Sequence, residues 1–312
     1  MSQRDTAGEH SRGTAYAFLA YGLWGLFPLY FHGLKPAGEW EILAHRILWT
    51  LAACLLVLVI RRDWRWLREL ARQPKVAGAL ALAALLIAVN WVIYVFAVLT
   101  GRTYEAALGY FLNPLVTVAL GVLVLRERLR PLQWLAVAVG AIAAVDLTVA
   151  GGPFPWISLT LAFSFGLYGL LKNRIGVSVA PLHSLAAETL VLALPAVGIV
   201  LIVGARAETT FGQGAEHTLL LALAGIITAV PLLLFAAAAR RVPLVTIGLI
   251  QFITPVMQLL VGVWWLGEQV STALWIGFGI VWIALVLLSS DSLLAARRGR
   301  RSLAAAEPGL EA

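Results

Sequence analysis

Residues 103–135 read TYEAALGYFLNPLVTVALGVLVLRERLRPLQWL, and residues 244–276 read LVTIGLIQFITPVMQLLVGVWWLGEQVSTALWI. At this offset of 141, Pro114 falls on Pro255, Gly121 on Gly262, Leu125 on Leu266, Glu127 on Glu268 and Trp134 on Trp275. Ala88-Val89 falls on Ala229-Val230 at the same offset, and at 144 the run YGLWGL (Tyr21 to Leu26) lies over FGLYGL (Phe165 to Leu170). The chain reads as an internal duplication. Each repeated stretch holds an apolar run long enough to cross about 30 Å of hydrocarbon as a helix, and far too long for a barrel strand.

Outward from these stretches the pattern persists. Of 312 residues, 61% are hydrophobic and 12% charged, where a soluble domain carries about 25% charged residues. Runs of roughly span length occur at Thr14 to Leu34, Ala37 to Ile60, Val76 to Leu99, Thr103 to Leu125 and Leu132 to Val149. A second set covers Phe154 to Leu171, Ala180 to Gly204, Thr218 to Ala239, Pro243 to Leu266 and Thr272 to Ser289. The expected fold is an all-α integral membrane protein with ten transmembrane helices. The first run is followed by no small-residue cleavage site, so it is expected to be a retained span. Cys54, the single cysteine, lies inside an apolar run and reads as inert packing.

The net charge of +7 raises the question of nucleic acid, but the basic residues lie in short segments between apolar runs, where they act as topology signals. With both termini in the cytoplasm, 19 of the 23 Lys and Arg residues fall on inside segments, three (Lys35, Arg102, Arg206) fall outside, and Arg46 lies within a span. Five spans per half is an odd number, so the second half must run opposite to the first. The charges agree, since RERLR follows span four whereas GEQ follows span nine. The expected organisation is a cytoplasmic tail at 1–13, one five-helix repeat at 14–149, its inverted copy at 150–290 and a cytoplasmic tail at 291–312. Inverted repeats are a recurrent device of secondary transporters.

EILAHRILW (Glu41 to Trp49), EAALGYFLNPLV (Glu105 to Val116), RERLRPLQWLAV, FSFGLYGLLK (Phe163 to Lys172) and PLLLFAAAARRVPL (Pro231 to Leu244) together resemble the RarD proteins. These are bacterial members of the EamA group in the drug/metabolite transporter superfamily. The resemblance implies a carrier of the bacterial inner membrane, with a central cavity lined by spans one to four and six to nine. It fixes neither the substrate nor the direction of transport. A small-molecule substrate and the bilayer are the expected partners, no nucleic acid and no cofactor are expected, and a homodimer is left open.

Charged side chains inside a membrane are costly, and each is expected to face the bundle interior, a partner or water. Glu41 and His45 share one face of span two, with Arg46 turned toward another helix. Glu188 falls opposite Glu41 at an offset of 147, so the two carboxylates would flank the midplane. Either is a candidate carrier of a coupling proton, and His45 could share it. The competing readings are a hydrated, interfacial Glu41 and an Arg46 that locks helices together through a carboxylate. Glu105 and Asp146 read as interfacial and solvated. Asn113-Pro114 and Thr254-Pro255 occupy matched positions, where proline weakens a helix by freeing the carbonyls of Tyr110 and Gln251. Pro114 and Pro255 are therefore candidate gates, although such prolines also occur without function. Asn90, Tyr110, Asn113, Gln251, Gln258, Trp24, Tyr94 and Tyr168 are the candidate polar and aromatic lining of a small-molecule site. Trp40, Trp156 and Trp275 read as interfacial anchors.

No GxxxxGK[ST], HExxH or cysteine cluster occurs, so neither a nucleotide-driven pump nor a metalloenzyme is encoded by a recognisable motif. A non-transporting sensor or enzyme on the same duplicated fold is the competing class.

Overall fold

The computed structural model describes residues 3–125, 131–132, 134–135, 137–139, 141–142, 154–175, 179–239, 241, 250–272, 275–280, 282–283, 285–287 and 290. These residues form helices and short turns, with no strand among them. Named in chain order, the helices are α1 (Gln3–Gly25), α2 (Phe27–His32), α3 (Glu39–Arg61), α4 (Arg65–Ala71), α5 (Pro74–Leu99) and α6 (Thr103–Leu125). Then come α7 (Trp156–Ile175), α8 (Pro181–Ala205), α9 (Ala215–Ala239) and α10 (Ile253–Leu260), the last continuing as a π-helical stretch over Val261–Trp265.

Four helices are long and apolar enough to cross a membrane by length and composition: α3, α5, α8 and the Ala215–Phe235 part of α9. Shorter apolar helices cover Trp156–Lys172, Ile253–Trp265 and Trp275–Leu287. Spans two, three, four, seven and eight end within a few residues of their expected bounds. Span five lies largely outside the described residues, as does Asp146, whereas span ten is described at 272, 275–280, 282–283 and 285–287.

The first span differs from expectation. α1 starts at Gln3, so the polar tail continues the helix, and the chain breaks at Leu26 before restarting as α2. Pro28 explains the restart: it lacks an N–H and suits the first turn of a helix, where that donor is not needed. α4 was not foreseen either. Its ends carry arginines while Trp66 is buried and Trp64 and Leu67 are exposed, the pattern of a helix lying along an interface.

α3 lies near the centre, against α5, α8 and α9, while α5 also packs on α7 and α8. α6 packs on α7 and α10, and α1 packs on α9 and α10. Close approach is built in by small residues. A Cβ on Gly225 of α9 would collide with the Trp49–Thr50 peptide of α3, and one on Gly109 of α6 would sit 2.7 Å from the Ser158 carbonyl of α7.

Candidate functional site

The candidate polar residues separate into three clusters. The first stands at the N-terminal end of α3, where Glu41 is buried. Its Oε1 accepts hydrogen bonds from Thr210 N (2.7 Å), Phe211 N (3.0 Å) and Thr209 Oγ1 (3.0 Å), and its Oε2 accepts one from Thr210 Oγ1 (2.8 Å). Four donors serve the carboxylate, three on Oε1 and one on Oε2. All four come from the loop between α8 and α9. Thr210 Oγ1 gives its single proton to Glu41, so the His217 Nε2 that lies 2.7 Å away must donate to it. His45 stacks on Phe211 of the same loop, with centroids 4.5 Å apart, and its Nδ1 accepts from Trp49 Nε1 at 3.3 Å. Glu41 and His45 thus share a face as expected, but what they hold is a loop of the other half. Glu41 is buried beneath that loop.

The second cluster lies deeper and centres on Arg46, which is 4% exposed. Its guanidinium carbon sits 4.1 Å from the Trp91 ring centroid, 5.3 Å from Phe31 and 5.5 Å from Phe27. Nε donates to Thr228 Oγ1 of α9 at 2.9 Å, whereas Nη1 has no partner. Among the described residues no carboxylate pairs with Arg46, and the competing reading of a helix-locking ion pair finds no partner among them; aromatic rings surround the guanidinium instead. Tyr94 and Tyr110 lie beside it, their rings 5.7 Å apart. Asn90 ties three helices together: its Nδ2 donates to Leu161 O and Ser164 Oγ, each at 3.1 Å, and its Oδ1 accepts from Tyr110 Oη at 3.0 Å. Gln258 donates from Nε2 to the Trp24 carbonyl at 3.2 Å while its Oε1 has no partner, and the Tyr94 hydroxyl is also unpartnered. Trp24 packs on Tyr21 and Phe235.

The third cluster stands at the N-terminal end of α8. Lys172 Nζ of α7 donates to Glu188 Oε1 at 2.6 Å and also to Ser184, which itself donates to Oε1 at 2.9 Å. Tyr168 Oη donates to Oε2 at 3.2 Å. The Lys172 side chain is 27% exposed against 3% for Glu188, so the pair borders on solvent at one end. On the same side His183 Nε2 lies 2.8 Å from Asp63 Oδ2 and its ring stacks on Trp66.

The remaining candidates stand apart. Asn113 Oδ1 is unpartnered and sits near Gly166 of α7. Pro114 lies inside α6, which runs through it without a break. Pro255 sits in the first turn of α10, just after a turn at Gln251 and Phe252, and the Gln251 carbonyl accepts from Thr254 N at 3.3 Å. The two matched prolines therefore act differently on their helices. Glu105, expected to be solvated, is buried beside Arg102 at 2.6 Å with Oε2 unpartnered. Glu268, seen in the sequence only as a repeat match, caps α6 by accepting from Thr103 N (2.9 Å) and Tyr104 N (3.0 Å). Lys172 was counted as a topology signal, yet its spacing of four from Tyr168, and that of Ser184 from Glu188, were readable cues to this cluster.

The sequence profile of the EamA-like transporter family matches residues 11–148 and again residues 155–290. The chain belongs to the EamA-like transporter family. The two matches fall on the two halves of a multi-pass membrane protein. "Protein RarD" of Streptomyces exfoliatus is 51% identical over 301 residues, covering 96% of this chain and 95% of that one. "Uncharacterized transporter YojE" of Bacillus subtilis is 40% identical over 285 residues, covering 90% and 94%. One solved structure shares the fold with a TM-score of 0.60 at 19% identity, covering 92% of this chain and 98% of its own.

Proposed function

We propose that this EamA-like protein is a secondary carrier of a small organic solute, working by alternating access in the bacterial inner membrane with both termini in the cytoplasm. Ten spans would form two inverted five-helix repeats at 14–149 and 150–290. The observation that carries this reading is the way helix contacts exchange under the repeat. Matching α1 with α7, α3 with α8, α5 with α9 and α6 with α10 turns the α6–α7 contact into α10–α1. It also turns α5–α7 into α9–α1 and α3–α9 into α8–α5, and every one of these contacts exists. The α3–α8 and α6–α10 contacts map onto themselves, as helices beside a two-fold axis must. Two halves of one design can give inward-open and outward-open states of similar energy. In this reading Glu41 closes the outer end and Asp63–His183 the cytoplasmic end around the buried Arg46 cluster.

Of the two carboxylates, Glu188 is the proposed coupling group, because its partner Lys172 borders on solvent while Glu41 is held by four donors of the 209–211 loop. Reporter fusions test the inversion: a cytoplasm-active enzyme fused after Arg241 or Arg298 is expected to be active, and one at Gly152 silent. Activity at Gly152 would overturn the ten-span arrangement.

A further inference from the structure

We propose that the Arg46 cluster is a recognition site for a monocarboxylate with an apolar or aromatic body. This rests on the carrier reading above and names its substrate class.

The argument starts from an unmet demand. Arg46 is buried at 4% exposure, and its Nη1 carries two N–H donors with no acceptor. Burying a cation without an anion is costly, and an unsatisfied buried donor adds to that cost. The rings of Trp91, Phe31 and Phe27 offset part of it through cation–π contact, but they leave the Nη1 donors unmet. A guanidinium presents its donors as a planar fork that matches a carboxylate in two parallel hydrogen bonds.

Two further groups are unmet in the same way. The Tyr94 hydroxyl, 2% exposed by residue, lies beside Arg46 and has Gln258 as its nearest side-chain neighbour, just outside hydrogen-bond distance. It is placed to give a third hydrogen bond to an anion on the guanidinium. Gln258 Oε1, also buried and unpartnered, is an acceptor for a hydroxyl or N–H of the ligand. Three buried polar atoms without a hydrogen-bond partner thus come from α3 and α5 in the first half of the chain and α10 in the second. Charge selects the class: among the described residues no carboxylate pairs with Arg46, while Glu41 and Glu268 already hold donors of their own, so the group that asks for an anion is a single guanidinium. A monoanion neutralises it, whereas a phosphate dianion would bury a net negative charge. The rings of Phe27, Phe31 and Trp91 around the guanidinium make its surroundings apolar, which favours a ligand with an apolar body.

The test uses the purified full chain in detergent, with thermal unfolding and intrinsic tryptophan fluorescence as readouts. The probes are benzoate, phenylacetate and 3-phenylpropanoate, their uncharged amides, and inorganic phosphate. At least one acid is expected to raise the unfolding temperature saturably, and neither its amide nor phosphate to do so. Tyr94→Phe is expected to keep the fold and weaken the acid about tenfold, as the loss of a hydrogen bond to a charge implies. Arg46→Gln is expected to abolish binding, and Tyr94→Phe carries the test where that variant does not fold. The inference is overturned if no acid binds, if amides or phosphate bind equally well, or if Tyr94→Phe binds as the wild type does. The readout needs no flux: acid binding without transport would sink the carrier reading alone, and transport of other solutes without acid binding would sink this inference alone.

Discussion

Glu41 and Glu188 are buried carboxylates near the N-terminal ends of α3 and α8, and they are held in opposite ways. Glu41 is held by a loop of the other half, through two backbone N–H groups and two threonine hydroxyls. Glu188 is held within its own half, by a lysine that reaches solvent, a serine one turn away and a tyrosine. The first arrangement joins two halves and cannot give way without unpairing buried backbone. The second rearranges cheaply, because Lys172 can exchange its carboxylate for water. One carboxylate thus latches a loop distant in sequence, and the other sits in an ion pair whose cation borders on solvent. The surroundings differ likewise, since more of α3 than of α8 is buried.

The contact that seats α3 gives the largest expected effect. Gly225→Ala drives a Cβ into the Trp49–Thr50 peptide and is expected to cost about 3 kcal/mol of stability or to prevent folding, since backbone cannot yield as a side chain does. At the position matched in α5, Ala84→Gly is expected to cost only about 1 kcal/mol. Thermal unfolding in detergent compares the two, and equal effects would erase the asymmetry.

Next comes the latch itself. Glu41→Ala leaves four donors without their acceptor, two of them backbone, and is expected to cost about 2 to 4 kcal/mol. Hydrogen exchange is expected to rise at residues 209–211 above all. Glu188→Gln is expected to cost about 1 kcal/mol or less, because its cation is partly exposed, yet to remove the response of flux to an imposed pH gradient in proteoliposomes. A full pH response in Glu188→Gln would return that carboxylate to packing.

The prolines give the smallest expected effects. Pro255→Ala lets a helix form across the turn at Gln251 and Phe252 and is expected to slow flux by up to about tenfold with the fold retained. Pro114→Ala, in a helix already continuous, is expected to change flux by less than about twofold. Equal slowing would mean that the sequence match outweighs the local geometry.

Much of this was legible in the sequence because membrane helices are specified by long local signals. The runs at α3, α5, α6, α8 and α9 needed only length and composition, and Glu41, Arg46 and Glu188 stood out because charge inside a span is rare. What escaped depended on partners distant in sequence. Nothing local says that Glu41 meets Thr210, some 169 residues away, or that Arg46 lies in a cage of Trp91, Phe31 and Phe27. The break at Leu26 was readable from Pro28 but was hidden by an unbroken apolar run, and a basic WRWLRELA segment reads as a loop until its apolar face is seen.

The central claim is that the Arg46 cluster opens to each side in turn. In a Cys54→Ser background, Gln258→Cys provides a single reactive thiol in the cluster, and a membrane-impermeant maleimide is applied from one side of oriented vesicles at a time. Labelling is expected from either side. When Glu41→Cys and Thr210→Cys are then joined by a disulfide formed before the thiol at 258 is exposed to reagent, labelling from outside is expected to stop while cytoplasmic labelling persists. Labelling from both sides in the locked protein, or from neither side in the unlocked one, would contradict it.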